Sequence, residues 1–221
     1  MSRGRFSTAS AGEVAYRGAA SATDGRHGQI LEVAAEVICR EGFDRTRIAH
    51  IARAADVSGG TIIYHFGTLD RLLVEALMYA ERRFYDRAEA IVSDQQWRTP
   101  AERLRALVDW EFSVGDGNPQ LWALWMELWA QASRHPDLAA ARVDGDQRWR
   151  SLLRDIVTDE VTDPDLVERF AVSFGALMDG LTIQIALGDA DVDVEAAKAI
   201  ALDHAAASLG WAGSATSGRR D

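Results

Sequence analysis

Three times in this chain a residue able to cap a helix stands directly before a proline, at Thr99-Pro100, Asn118-Pro119 and Asp163-Pro164. Proline fits the first turn of a helix, where its fixed φ is already helical and its missing N–H has no partner to lose. Each pair therefore predicts a helix start, and at the first one Glu102 follows Thr99 by three residues, completing a capping box. Between these marks apolar residues recur at spacings of three and four, and no segment alternates β-branched and polar residues as a strand would. The chain is predicted to be all-α. The expected helices run over about 26–41, from Thr46, from Ser58 as N-cap, and from Leu69 to about Ser93. Later ones are expected at about 100–114, 119–134, 137–157, 164–187 and 193–210.

With 48% hydrophobic residues over 221 positions, the chain can bury a sizeable core. Cys39 is the single cysteine, so an internal disulfide is ruled out, and no apolar run approaches the roughly 18–20 residues of a spanning helix. These features predict a cytoplasmic protein with no membrane partner. Residues 1–25, rich in small and polar side chains, read as a flexible arm, and 211–221 as a loose tail. The net charge of −10 alone would repel a polyanion, but it is spread unevenly. Residues 1–66 hold eight arginines against seven acids, whereas residues 67–221 hold 16 basic against 27 acidic residues. Only the front of the chain is open to a nucleic acid.

Three short helices followed by a long one form the skeleton of a helix-turn-helix unit, here over 26–73, whose second motif helix enters the major groove end-on. That reader falls on residues 58–65. Gly59 and Gly60 would let the backbone come close to a phosphate or base, and the free N–H groups of a helix start favour an anionic oxygen. Thr61 offers a hydroxyl and a methyl, while Tyr64 and His65 can reach phosphates. The segment GFDRTRIAHIARAADVSGGTIIYHFGTLDRLL, residues 42–73, resembles the TetR family of transcriptional regulators. The likeness rests on Gly-Phe after the first helix, Ile51-Ala52, Val57-Ser58, and Thr61 followed by Tyr64-His65-Phe66. By that resemblance Arg47, Ser58, Gly59, Gly60, Thr61, Ile63, Tyr64 and His65 fall on or beside DNA-contacting positions. Three positions depart from the family pattern. Asp56 stands where glycine is usual in the tight turn, Leu69 where many relatives carry a phosphate-holding lysine, and Ile48-Ala49 where relatives often have polar ligands.

The remaining unit, 74–210, concentrates aromatic residues. Five of the seven tryptophans are at 110, 122, 125, 129 and 149, and Trp122, Trp125, Met126 and Trp129 share one predicted helix face. On the preceding helix Glu111 falls inside the apolar stripe of Leu104, Leu107, Val108 and Phe112. A buried carboxylate needs a partner, either an internal arginine such as Arg148 or Arg154 or a bound cation held by aromatic faces. Phe174, Met178 and Thr182 could close the same space. The candidate ligand site is therefore Trp110, Glu111, Trp122, Trp125, Met126, Trp129, Phe174 and Met178, for a cationic or lipophilic effector; the competing reading makes the tryptophans plain core. Glu127, away from the tryptophan face, is expected to be solvated.

LWALWMELWAQASRHPDL and GALMDGLTIQIALGD give this second unit a resemblance to the BetI branch, whose regulators respond to choline. The resemblance implies a homodimer built on the last two helices, where Ala196, Ala197, Ala201, Ala205 and Ser208 permit close approach beside Ile200 and His204. Two readers held about 34 Å apart, or a multiple of it, would match a palindromic operator on double-stranded DNA. Together these features read as a DNA-binding repressor released by an effector; the alternative is a helical ligand-binding or interaction module without DNA. Catalysis is not expected, because the histidines are scattered and no nucleophile elbow, zinc spacing or phosphate loop occurs. No cofactor and no metal are expected.

Overall fold

A computed structural model describes residues 25–117 and 119–211. Its described residues form helices α1 (Gly25–Glu41), α2 (Ile48–Ala54), α3 (Gly59–Phe66), α4 (Leu69–Val92), α5 (Pro100–Gly117), α6 (Pro119–Ala132), α7 (Pro136–Val157), α8 (Pro164–Ala186) and α9 (Val194–Leu209), and no strand. The all-α prediction holds.

The capping chemistry is what sets these boundaries. Ser58 Oγ accepts the N–H of Thr61 at 3.0 Å, Thr68 Oγ1 that of Arg71 at 3.2 Å, and Asp193 Oδ1 that of Ala196 at 2.7 Å. At α5 the box closes in both directions: Thr99 Oγ1 accepts from Glu102 N–H at 3.2 Å, and Glu102 Oε2 accepts from Thr99 N–H at 3.0 Å. Asn118 lies outside the described residues. The second helix begins at Ile48, two residues later than expected, because Thr46 is buried and its hydroxyl donates back to the Gly42 carbonyl at 2.8 Å. That bond keeps Thr46 in the loop. In the tight turn, Asp56 takes φ +51°, the left-handed conformation that glycine usually supplies and aspartate tolerates.

Two apolar cores form, and α4 runs through both. The first gathers Ile30, Ala34, Ile38, Ile51, Ile62, Phe66, Leu72 and Leu77 from α1–α4. It also takes Leu124 and Leu128 from α6 and Leu138 from α7, so the small unit is completed by side chains of the larger one. The second core gathers Tyr85 and Ala88 of α4, Leu104, Leu107 and Phe112 of α5, Trp122 of α6, and inward residues of α7, α8 and α9. At 24 residues, α4 is about 36 Å long at 1.5 Å per residue, long enough to serve both. Where α7 crosses α4, a Cβ on Gly145 would stand 2.6 Å from Glu81 Oε1 and from Tyr85 Cε2. Glycine is what permits that crossing.

Candidate nucleic-acid interface and sensing core

Helix α3 divides cleanly into two sides. Ile62 and Phe66 are fully buried, which fixes the helix on the first core, and the opposite side leaves Tyr64 86% and Ile63 44% exposed. Of Tyr64 and Phe66, it is Phe66 that packs the unit, with the His27 ring 4.5 Å from its own. His65 is half-buried, its ring edge-on to Tyr64 at 5.3 Å and to His27 at 6.1 Å. Ser58 caps the helix, and its Oγ also lies 2.9 Å from Thr61 Oγ1. A Cβ on Gly59 would meet Ile48 Cγ2, and one on Gly60 would meet Ser58 Oγ, each at an ordinary 3.5 Å. The fold itself does not demand glycine at either place.

The flanking positions explain the departures noted in the sequence. Ile48 and Leu69 are apolar because both pack against the first core. Arg47, exposed, donates through Nη1 to the carbonyls of Asp44 at 2.7 Å and Thr46 at 2.9 Å, so it braces the loop before α2. Arg71, also exposed, pairs with Glu75 at 2.7 Å along α4.

In the larger unit the aromatic residues cluster around a residue absent from the sequence-based site, Phe84. Its ring lies 4.9 Å from Trp110, 4.9 Å from Trp125, 5.9 Å from Trp149 and 5.4 Å from Tyr85. The adjacent Phe84-Tyr85 pair on a long helix was the signal that could have found them, since one helix cannot bury two aromatic neighbours without a wall to receive them. Trp122, Phe174 and Met178 are buried in the same core. Phe174 stacks on Phe170 at 5.1 Å and lies 6.3 Å from His204, at the seam between α8 and α9.

The shared tryptophan face of α6 is split in two. Trp125 packs against both cores, whereas Trp129 packs against the first, with the Arg142 guanidinium 5.6 Å above its ring. Met126 is half-buried. Arg142 also lies 3.3 Å from the Tyr85 hydroxyl and 3.7 Å from Glu81, and pairs with Asp146. Burial pushes the Glu81 carboxyl up to about 7.

Glu111 is buried, and its Oε2 has no hydrogen-bond partner. Burial, reinforced by the charge of Asp179, pushes its carboxyl up to about 8, and the nearby Thr182 hydroxyl, itself buried without a hydrogen-bond partner, only partly offsets this. The two arginines named as examples of an internal partner are engaged elsewhere. Arg148 binds Asp86 at 2.9 Å and Glu89 at 2.7 Å, and Arg154 binds Glu168 at 2.7 Å. Neither forms an ion pair with Glu111.

Glu127 corrects a further expectation. It is not a solvated carboxylate: Oε1 accepts the backbone N–H of Phe43 at 3.3 Å, across 84 residues of sequence, and lies against Gly42 in the loop after α1. Nearby, the His135 ring is 5.8 Å from that of Phe43, and its Nε2 is 3.8 Å from Asp70 at the start of α4.

Among the described residues no group of three or more His, Cys, Asp or Glu is placed to hold a metal ion, and no helix is long and apolar enough to cross a membrane. Burial pushes the Cys39 thiol up to about 12, which keeps it protonated and a poor nucleophile.

Comparison with known proteins agrees with this two-part geometry. Residues 30–76 match the family of bacterial regulatory proteins named for tetR, and residues 100–210 match the C-terminal family of BetI-type transcriptional repressors. The transcriptional regulator BetI of Brucella suis is 30% identical over 177 residues, covering 80% of this chain and 87% of that protein. BetI 1 of Chromohalobacter salexigens is 28% identical over 181 residues, covering 81% and 88%. Among solved structures, a transcriptional regulator from Saccharomonospora viridis in complex with choline superposes with a TM-score of 0.71 at 27% identity, over 82% of this chain and 95% of that one.

Proposed function

This chain belongs to the TetR family of DNA-binding transcriptional regulators, with a C-terminal half of the BetI type, and from that premise we propose that it is a homodimeric repressor released from a palindromic operator by a small organic cation. The observation that carries the effector's charge is Glu111: a buried carboxylate with an unpartnered oxygen and an acid as its charged neighbour. Such a group lacks a positive charge, and a quaternary or tertiary ammonium supplies one without needing hydrogen bonds in return. Trp110, Trp122 and Trp125 supply aromatic faces, each contributing roughly 0.5–2 kcal/mol to a desolvated cation. The choline-bound relative supports the same class.

On the DNA side, α3 with Ser58, Gly59, Gly60, Thr61, Ile63, Tyr64 and His65 is the reader, and Arg47 steadies the loop that positions it. Two copies joined through α8 and α9 place two readers one groove repeat or more apart. An effector that moves α6 changes that spacing.

The test is calorimetric titration with choline, tetramethylammonium and a fatty acid, followed by an electrophoretic shift on DNA upstream of the gene. Choline is expected to bind the wild type and to release the DNA, and Glu111→Ala to lose the binding while keeping the shift. Stabilisation by the fatty acid alone would overturn the cationic effector.

A further inference from the structure

The outer side of α3 is chemically unusual for a surface that reads DNA. Its eight residues, GGTIIYHF, contain no arginine, lysine, asparagine or glutamine. Those are the side chains that grip guanine at O6 and N7, or adenine at N6 and N7, through paired hydrogen bonds. Apart from Tyr64 and the half-buried His65, what α3 offers outward is small or apolar. Ile63 is 44% exposed although the fold anchors the helix through Ile62 and Phe66, so no packing role keeps an isoleucine at that position. The Thr61 hydroxyl is engaged with that of Ser58 at 2.9 Å, which leaves the methyl as the part of the side chain outside any hydrogen bond. Gly59 and Gly60 both have room for a Cβ, so their bareness serves a close approach from outside.

In the major groove the one apolar mark on a base edge is the C5-methyl of thymine. We propose that this chain reads its operator through thymine methyl groups, with Ile63 as the specificity-determining residue and Thr61 beside it. The inference rests on α3 being the reader, as set out above. The half-site beneath α3 then carries thymine under Ile63, and guanines there are not read by this helix. Tyr64, exposed, reaches the phosphate backbone and holds the register without choosing a base. Because the contact is apolar, it adds discrimination without adding to the salt dependence, which fits a chain of net charge −10.

The experiment selects duplexes from random DNA with the full chain. Each thymine of the selected half-site is then replaced by deoxyuridine, which removes only the methyl group, and each guanine by 7-deazaguanine, which removes only N7. For the wild type, deoxyuridine at one or two thymines per half-site is expected to weaken binding about fourfold each, the worth of one buried methyl-sized group. The Ile63→Ala variant is expected to bind thymine DNA more weakly by a similar factor and to be indifferent to deoxyuridine at its position. The 7-deazaguanine series is expected to leave affinity unchanged beneath α3. Indifference of the wild type to every deoxyuridine, equal losses in wild type and Ile63→Ala, or loss on 7-deazaguanine each overturn the methyl reading. Tyr64→Ala is the separate control for the reader: it is expected to weaken every duplex, and a variant that binds as the wild type does would instead overturn the placement of α3 in the groove. Both positions are exposed, so unchanged melting temperatures are expected for both variants.

Discussion

Glu111 joins the energetics of the fold to those of the site. Its carboxyl titrates at about 8 in the folded chain against an ordinary 4.5, because burial penalises the charge. The folded state therefore holds this proton more tightly than the unfolded state. Stability linked to it is complete below about pH 4.5 and is lost as pH climbs through 8. The effector-free protein is expected to melt at a lower temperature at pH 8.5 than at pH 6, and Glu111→Gln to lose much of that dependence, as differential scanning calorimetry would show. A bound cation has the opposite preference, since it favours the carboxylate. Choline affinity is expected to rise with pH up to about 8, by at most about tenfold per unit, and to be flat in Glu111→Gln. A wild-type affinity that does not change between pH 6 and 8 would remove Glu111 from the site.

At the scale of elements, α6, like α4 and α7, contributes to both cores. Its Trp122 belongs to the sensing core, its Leu124 and Leu128 to the reading unit's core, and Trp125 to both. Glu127, on the same helix, holds the backbone N–H of Phe43 in the loop that follows α1. A displacement of α6 by a ligand against Trp125 must therefore strain the first core or break this bond. Glu127→Ala is expected to leave choline affinity within about twofold while shrinking the choline-driven change in operator affinity, on the order of three- to tenfold. Paired titrations of choline with and without operator would measure the coupling in both directions, and an unchanged ratio would rule out Glu127 as the link.

For the whole molecule, the decisive property is that two reading heads must act together. Val172 on α8 and Ile200 on α9 remain 44% and 42% exposed in the single chain, whereas Ala197, Ala201 and Ala205 of α9 are turned into the chain's own core, so Ile200 stands outward with Glu195, Ala199, Asp203 and Ala207. Burying these surfaces in a second copy would remove their exposure to water. The pair Val172→Asp and Ile200→Asp is expected to yield monomers in sedimentation analysis and to weaken operator binding by two orders of magnitude or more, with helicity retained. Dimers of wild-type affinity would place the interface elsewhere.

Local chemistry in the sequence determined the helices, since a cap, a box glutamate and a proline act within one turn. It also determined Asp56 in its left-handed turn and Phe66 on the inward side of α3. Tertiary structure decided against which neighbour each buried side chain packs. A stripe on α6 announces burial but not that Trp122 would be buried in one core while Trp129 packs against the other, nor that Glu127 would find a backbone N–H 84 residues away. Phe84 and Tyr85 escaped the sequence for the same reason: periodicity records which side of a helix avoids water, whereas the choice among apolar neighbours depends on shape and crossing geometry that emerge only when all the helices are packed.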